Sequence, residues 1–365
     1  MLERRVSISF SSLLLIISCG LLLVLLWQLK SLIITLMIAI IIAATLSPLI
    51  NRAEKLNIPR WLAVIGLYLS IISLLIGVAL LIGPTVAEQI ERLVRKLPGY
   101  LEILGDRLEN LMMRFGINQP GTLELINQLF DIQALISWTL RSSQQLIARS
   151  FDITKGLVGG VFNFILALLL SGYMLSGAQS LTKGLVSLFP PPWDERLAAQ
   201  VQPMSQRMGG YIQGRILVSA ILGIAISFGL WLLGISELAI GLGVIAGITN
   251  LIPFFGPVLG SIPALIVATA QDGFTFLSVL LLFVVIQNVE TYVLDPLLVG
   301  SSVKIPPLYQ LLGVLGGVQV LGILGAIIVP AWVAGISVLL ENLYLKPLLA
   351  HKQQLINPSE GKLGS

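Results

Sequence analysis

Residues 250–264 read NLIPFFGPVLGSIPA, from Asn250 to Ala264. This stretch holds three prolines and two glycines, whereas the sequence on both sides is apolar. Proline removes a backbone donor and glycine weakens a helix, so both residue types interrupt helices. In a membrane, an interrupted helix is tolerated only where the freed backbone groups are buried in protein or line a wet cavity. If the chain is a membrane protein, the stretch predicts a broken or re-entrant helix.

The composition places the chain in a membrane. Of its 365 residues, 56% are hydrophobic and 11% are charged, whereas soluble domains carry roughly a quarter charged residues. The net charge of +4 is scattered, with no long basic run, which argues against a nucleic-acid partner. The chain has one cysteine, Cys19, and one histidine, His351. These counts exclude a disulfide framework, a cysteine-based zinc site and an HExxH helix, so we expect no metal and no cofactor.

The first unit, residues 1–83, is predicted to hold three membrane helices. Lys30 is the only charge in residues 6–50, and this length accommodates two helices, at about 8–28 and 31–50, joined by a tight turn. A third helix is predicted at about 61–83. Basic residues lie at the start of the chain and in the loop 51–60. By the positive-inside rule both places, and therefore the amino terminus, should face the cytoplasm.

The second unit, residues 84–155, is charged with mixed signs and is predicted to be an amphipathic helical segment outside the cytoplasm. Its apolar residues recur at helical spacing, and such a stripe needs a partner surface. Three partners are consistent with it: another part of the chain, the membrane interface, or a second copy of the chain in a homo-oligomer. The stripe consists of Ile90, Leu93, Leu97, Leu101, Leu104, Leu108 and Leu111.

The remaining sequence divides into three units. Residues 156–215 are interpreted as a fourth membrane helix and a cytoplasmic connector, in which Asp194 is predicted to cap the next helix after three consecutive prolines. Residues 216–345 are a transport core that opens with a fifth span at about 216–235, and residues 346–365 form a polar cytoplasmic tail. The expected fold is an all-α polytopic protein of the inner or plasma membrane, with about eight membrane segments and broken or re-entrant helices in its carboxy-terminal half.

Two glycine- and proline-punctuated segments of the core resemble each other. Leu242-Gly243-Val244-Ile245-Ala246-Gly247 is similar to Leu312-Gly313-Val314-Leu315-Gly316-Gly317, and Pro263-Ala264 has a counterpart in Pro330-Ala331. Carriers often pair discontinuous helices from two repeats around one site. The first segment, at about 238–270, is consistent with either a re-entrant hairpin or a single broken crossing, and too few charges flank it to decide.

Sequence motifs argue against an enzyme. The chain lacks a GxxxxGK[ST] phosphate loop and a GxSxG nucleophile elbow. Its lone histidine lies beyond the last predicted span, so it cannot serve a Ser-His-Asp triad within the membrane.

Polar groups in apolar surroundings are the candidates for ion or substrate coupling. A carboxylate at bilayer depth costs roughly 2.5–3.5 kcal/mol on insertion scales, which points to a function for Glu290. Gln287 and Asn288 would add neutral donors and acceptors beside it. The alternative is that Glu290 lies near the membrane surface and is solvated there. Asn250 either presents its amide to a cavity or caps the helix that restarts beyond Pro253.

The glycines and prolines of the broken segments are candidates for the backbone of a transport path. They would expose carbonyls and helix ends rather than side chains. Phe254 and Phe255 fit packing or gating better than recognition. The path residues are Pro253, Gly256, Pro257, Gly260, Pro263, Gly325 and Pro330.

Several of these motifs together resemble the AI-2E (autoinducer-2 exporter) transporter family. The resemblance rests on Asn250 to Pro257 with Gly260 and Pro263, on Tyr211-Ile212-Gln213-Gly214, on Gln287-Asn288-Val289-Glu290, and on Pro296, Gly300, Val303, Gly325 and Pro330. It implies a polytopic carrier with about eight membrane segments, from a family linked to export of a small signalling molecule or to sodium/proton exchange. Arg215 departs from the pattern, because the family more often has glutamine there.

The sequence thus predicts a secondary transporter, a permease or exporter, that moves a small molecule or an ion with H⁺ or Na⁺ as candidate coupling ions. The alternatives are an uncoupled channel and a membrane scaffold that acts through segment 84–155. The expected partners are membrane lipid, the transported solute and, through segment 84–155, further copies of the chain.

Overall fold

The computed structural model describes residues 17–114, apart from 19, 23, 26 and 27, and residues 150–300 and 306–349. Over these ranges the chain is helical and contains no strand. The predicted first span, at about 8–28, lies mostly outside the described residues, so the total of eight membrane segments stays a prediction.

Nine α-helices, two of which run on into π-helical segments, make up the described structure. Five helices are long and apolar enough to cross a membrane, or six if the pair α3–α4, bent by 85°, counts as one span. The predicted all-α membrane fold with broken helices is therefore confirmed. The elements are α1 (Lys30–Lys55), α2 (Arg60–Arg114), α3 (Ser150–Ser176), α4 (Ala178–Val186), α5 (Trp193–Leu232), α6 (Ala239–Thr249), α7 (Phe255–Gln271), α8 (Gly273–Val289) with the π-helical segment Glu290–Gly300, and α9 (Pro307–Leu339) with the π-helical segment Leu340–Leu345.

Helix α2 is far longer than a membrane requires. Its 55 residues correspond to about 82 Å at 1.5 Å per residue, against a hydrocarbon core of about 30 Å. Pro84 and Pro98 lie within it without ending it. The third predicted span and the start of the charged segment are therefore one continuous helix.

Helix α5 also joins two parts that the sequence separated, namely the connector and the fifth span. It begins at Trp193 and runs for 40 residues. Its N-cap is Pro192, with no side-chain hydrogen bond, so the prediction that Asp194 caps this helix was wrong. Asp194 lies in the first turn instead, where its negative charge is favoured by the positive end of the helix dipole.

Helices α6 and α7 form a tight hairpin, Ala239–Gln271, called the first hairpin below. A methyl group added at Gly260 would lie 2.8 Å from Ala246 Cα, and one added at Gly256 would lie 2.5 Å from Asn250 Cα. Only glycine allows two backbones to approach so closely. The chain reverses just before α7, where Phe254 has a φ of 67°. Of the two arrangements left open by the sequence, the structure has the hairpin.

Helix α9 folds back on itself in the same way and forms the second hairpin, Pro307–Leu339. A straight helix would separate residues 317 and 325 by about 12 Å. In the structure, a methyl group added at Gly325 would lie 2.6 Å from the carbonyl carbon of Gly317. The chain turns at Gly322, whose φ of 65° and ψ of −149° are readily adopted only by glycine.

The two hairpins enter the helix bundle from opposite ends. The base of the first hairpin contacts the carboxy-terminal half of α2, where the Gly241 N–H donates to Gln89 Oε1 (2.7 Å) and Arg107 Nη2 donates to the Gln271 carbonyl (3.2 Å). This base packs with Leu230 in one hydrophobic cluster. The base of the second hairpin instead lies at Arg207, whose Nη1 donates to Ser337 Oγ at 3.2 Å. About 35 Å of α5 separates Arg207 from Leu230.

Candidate functional site

A buried ion pair lies where the first hairpin reaches the middle of the bundle. Arg215 on α5 donates from Nη1 to Glu290 Oε1 at 3.0 Å, and Asn250 Nδ2 donates to the same oxygen at 3.1 Å. Arg215 is 4% exposed, and Glu290 and Asn250 are each 2% exposed. The three residues, called the Arg215 cluster below, join α5, the first hairpin and the segment after α8.

Close backbone packing brings the three elements together. A methyl group at Gly214 would lie 2.9 Å from the carbonyl carbon of Leu298, and one at Gly247 would lie 3.1 Å from the Ser219 carbonyl oxygen. Such small residues let helices approach closely in a membrane. Glu290 itself opens the π-helical segment, and π-helical turns are rare and concentrate at functional sites.

The charges of the cluster do not balance when both nearby carboxylates are ionised. Asp295 Oδ1 also lies 3.5 Å from Arg215 Nη1, and the Asp295 side chain is 42% exposed. One guanidinium therefore faces two carboxylates, which leaves one negative charge in excess. At and beside the cluster, four buried polar atoms have no hydrogen-bond partner among the described residues: Arg215 Nε, Ser219 Oγ, Glu290 Oε2 and Asp295 Oδ1. Buried polar atoms are rarely left unpaired, so the cluster has free capacity for a proton, a cation or a polar solute group.

Only part of the predicted polar set is brought together. Asn250 contacts Glu290, and the N-cap of α7 is Phe254 without a side-chain hydrogen bond, so the capping role proposed for Asn250 was wrong. Glu290 is buried and paired rather than solvated. Gln287 instead donates to Thr291 Oγ1 at 3.4 Å, and Asn288 donates to the Val284 carbonyl at 2.7 Å. Neither of these two side chains hydrogen-bonds to Glu290 in the described structure.

The predicted path residues lie within the arms and turns of the two hairpins. Five of them are buried and two are partly buried, and Gly256, Gly260 and Gly325 serve the close approach of antiparallel arms. Pro330 likewise packs across its hairpin, because a methyl group at Gly313 would lie 3.4 Å from Pro330 Cα. Their use as a transport path stays a prediction. The buried positions other than Pro330 are Pro253, Gly256, Gly260 and Gly325, and the partly buried ones are Pro257 and Pro263.

Sequence reasoning missed the role of Arg215 as the partner of Glu290. The signal was present, since a charge in apolar surroundings is stable only when it is paired. Arg215 at the start of a predicted span and Glu290 in another are charges of opposite sign. Nothing in the sequence gave the distance between them, because 75 positions separate the two residues.

An apolar groove opens on the surface of the bundle beside the turn of α5 that follows Arg215. Its volume is about 560 Å³, and it lies between α2, α5 and α6. Ser219, whose hydroxyl has no partner among the described residues, is part of its wall, as are Gly223 and Gly247. The groove therefore lies one turn of α5 away from Arg215.

No group of three or more histidine, cysteine, aspartate or glutamate side chains that could hold a metal ion occurs in the part of the chain that the structure describes. The chemistry open to the Arg215 cluster is thus that of carboxylates, a guanidinium, an amide and a hydroxyl.

The sequence matches known proteins along nearly its whole length. The model of the AI-2E family transporter matches residues 14–345. A Bacillus subtilis protein named "Putative transport protein YrrI" is 29% identical over 305 residues, which cover 83% of this chain and 84% of that protein. A second Bacillus subtilis protein, "Putative transport protein YueF", is 27% identical over 80% of this chain and 79% of its own length. "Putative permease PerM" of Escherichia coli is 25% identical over 76% of this chain and 78% of its own length.

Proposed function

Because the chain belongs to the AI-2E transporter family, we propose that it is a secondary transporter that moves a small molecule or an ion across the cell membrane, coupled to protons or sodium ions. The names of its relatives point to transport rather than to an enzyme. Its amino terminus lies in the cytoplasm in this proposal, because basic residues are concentrated at the start of the chain and in the loop 51–60.

The observation that supports coupling is the Arg215 cluster with its excess carboxylate. Glu290 Oε1 accepts from both Arg215 and Asn250, while Glu290 Oε2 has no partner among the described residues. A proton or a sodium ion arriving at Glu290 neutralises the carboxylate and weakens both of these hydrogen bonds, because charge-assisted bonds are roughly twice as strong as neutral ones. Occupancy of Glu290 thereby controls how firmly the tip of the first hairpin is held.

The arrangement of the hairpins supports a carrier. Two broken helices enter from opposite ends, as in transporters whose binding sites lie at the interface of repeats. A device that holds one hairpin tip when Glu290 is ionised, and releases it when Glu290 is neutralised, links ion binding to opening on one side. In the proposed cycle, the binding site opens first to one side of the membrane and then to the other.

The test uses purified protein in liposomes that contain the pH-sensitive dye pyranine, with a sodium gradient imposed across the membrane. We expect the wild-type protein to move protons in response to the gradient and Glu290→Gln to reduce this movement to that of protein-free liposomes. Glu237→Gln is the matched control, because Glu237 is an exposed carboxylate that, among the described residues, forms one ion pair, with Lys96 at 3.5 Å. Proton movement by Glu290→Gln equal to that of the wild type would contradict the proposal.

Folding of the variant is checked separately. Glu290→Gln leaves Arg215 with Asp295 as a counter-charge, so we expect a monodisperse protein with a helical circular-dichroism spectrum. Solute flux that only follows its own gradient, unaffected by Glu290→Gln, would indicate an uncoupled channel instead.

A scaffold that acts through segment 84–155 is the other alternative. It predicts that shortening α2 beyond Pro84 removes every phenotype while Gly256→Leu is tolerated. A folded Gly256→Leu protein without function would exclude the scaffold, because Gly256 lies in the first hairpin and not in that segment.

A further inference from the structure

A second cavity, separate from the Arg215 cluster, lies at the end of the bundle where α1 finishes. Its volume is about 760 Å³, within the usual range of small-molecule sites. The last turns of α1, helix α4 and the first half of α5 enclose it. We call it the basic cavity.

The wall of the basic cavity has an uncompensated positive charge. It contains Arg52, Lys55, Arg60 and Lys183 and no aspartate or glutamate. Arg60 is occupied, since its Nη1 bonds to Glu54 at 3.1 Å and its Nε donates to the Leu175 carbonyl at 2.6 Å. The other three cations form no ion pair with any residue that the structure describes.

Neutral hydrogen-bond donors complete the wall. Residues with amide or hydroxyl side chains line the cavity, namely Asn51, Gln179, Gln202, Gln206, Ser47 and Ser205. Thr182 also lines it, but its hydroxyl donates to the Ala178 carbonyl. A tetrahedral phosphate takes several hydrogen bonds at once and is bound by arginine and lysine together with such neutral donors. The wall therefore has the chemistry of an anion site.

Helix dipoles account for only part of this arrangement. Arg52 and Lys55 lie in the last turn of α1, and Lys183 lies in the last turn of α4, where a positive charge is favourable. The helix dipole favours a cation in the last turn whichever side of the helix the cation faces. It does not explain why cations from two helices line one cavity whose wall contains no carboxylate.

The surroundings of the basic cavity have features of helices that lie in a membrane surface. Helix α4 is bent by 85° from α3, and exposed apolar side chains lie at its end and between it and the start of α5, namely Leu185, Leu188, Phe189 and Trp193. Helices that lie in the membrane surface expose apolar residues to the acyl chains and cations to the headgroups.

We propose that the basic cavity binds the phosphate group of an anionic ligand, presented either by a phospholipid headgroup or by a soluble phosphate compound. Basic pockets between membrane helices bind such headgroups, with roughly 1 kcal/mol per lysine or arginine near the surface.

The test measures ligand-induced stabilisation of the purified full-length protein in detergent. Dioleoylphosphatidylglycerol, zwitterionic dioleoylphosphatidylcholine and inorganic phosphate are titrated separately, with Tm followed by intrinsic tryptophan fluorescence. The variant is Arg52→Gln/Lys55→Gln/Lys183→Gln. The matched control is Arg92→Gln/Arg95→Gln/Lys96→Gln, which removes the same formal charge from cations that are paired with Glu88, Glu91 and Glu237.

We expect phosphatidylglycerol to raise Tm of the wild type and of the control, and the apparent affinity of the cavity variant to fall about 100-fold, or about fivefold per removed charge. An effect of inorganic phosphate that is lost in the same variant assigns the site to soluble phosphate compounds, whereas an effect of phosphatidylglycerol alone assigns it to lipid. Equal affinity in the wild type and the cavity variant, or an equal loss in the control, overturns the proposal.

A single substitution keeps the test decisive if the triple variant does not fold. Lys183→Gln alone should weaken the same ligand about fivefold, with the Tm of the ligand-free protein unchanged. A folded Lys183→Gln protein with wild-type affinity would also overturn the proposal.

Discussion

The two hairpins have the same construction and different contents. In each, glycines let the backbones of the two arms approach closely, from α7 alone in the first hairpin and from both arms in the second. One residue with positive φ reverses the chain, Phe254 in the first and Gly322 in the second. The first hairpin brings a polar side chain, Asn250, to the buried pair Arg215–Glu290. The second ends in apolar side chains, with Val320 78% exposed and Ile323 73% exposed.

The comparison distinguishes the residues that let the chain fold back on itself from the residue that connects a hairpin to a charged group. Small residues at matched positions are enough to fold the chain back, since both hairpins have them. A link to a charged group requires one further residue at the tip, and only the first hairpin has it among the described contacts. We therefore expect substitutions of packing glycines to affect both hairpins alike, and changes in the Arg215 cluster to affect the first hairpin more.

The largest difference in the free energy of unfolding is expected between the variants Arg215→Gln and Arg207→Gln. Loss of Arg215 leaves Glu290 and Asp295 without a cation, and breaking a buried pair in this way costs about 3–5 kcal/mol. Arg207, at the base of the second hairpin, is partly exposed and pairs with the more exposed Glu341 at 3.0 Å. Its loss should cost about 1 kcal/mol or less. Thermal unfolding of both variants in the same detergent measures the difference, and equal Tm values would contradict the assignment of Arg215 as the more strongly coupled cation.

An intermediate effect is expected for Asn250→Ala. This change removes a hydrogen bond to an ionised group, which is worth about 1.5–3 kcal/mol. Asn288→Ala is the matched control, because Asn288 is exposed and bonds only to its own helix. The loss of stability in the double variant Asn250→Ala/Glu290→Gln should be smaller than the sum of the losses in the two single variants, since both changes remove the same contact. Simple additivity would show that Asn250 does not act through Glu290.

The smallest difference between the two hairpins is expected for Gly256→Ala and Gly325→Ala, which should lower the free energy of unfolding equally. Each added methyl group would overlap the facing arm, and overpacking costs about 1–3 kcal/mol. Gly316→Ala is the control, because nothing lies within 4 Å of a methyl group there. It should leave Tm unchanged or raise it slightly, since alanine is a better helix former. Tolerance of either packing substitution would show that the hairpins are not held in the same way.

The sequence predicted the broken helices because their cause is local. A single proline does not end a helix, as Pro84 and Pro98 in α2 show, but three prolines and two glycines within Asn250–Ala264 were sufficient to expect a reversal or a break. The similarity between residues 242–247 and 312–317 likewise pointed to a second segment of this kind, and the fold-back at Gly322 lies in it.

The charged contacts could not be predicted because they depend on distance in space. Glu290 lies 40 positions from Asn250 and 75 from Arg215, and no periodicity connects the three residues. The ends of the helices were predicted incorrectly for a different reason. Hydropathy marks where a helix leaves the membrane, yet backbone hydrogen bonds continue beyond that point, as in α2 and α5.

The length of α2 has a mechanical consequence. Its carboxy-terminal half contacts the first hairpin near both of the hairpin's ends, through Gln89 and Arg107, and contacts Glu237, two residues before the hairpin, through Lys96. A helix clamped at several levels cannot tilt without carrying the clamped element with it. A displacement of the carboxy-terminal end of α2 therefore moves the base of the first hairpin. The tip of the same hairpin carries Asn250.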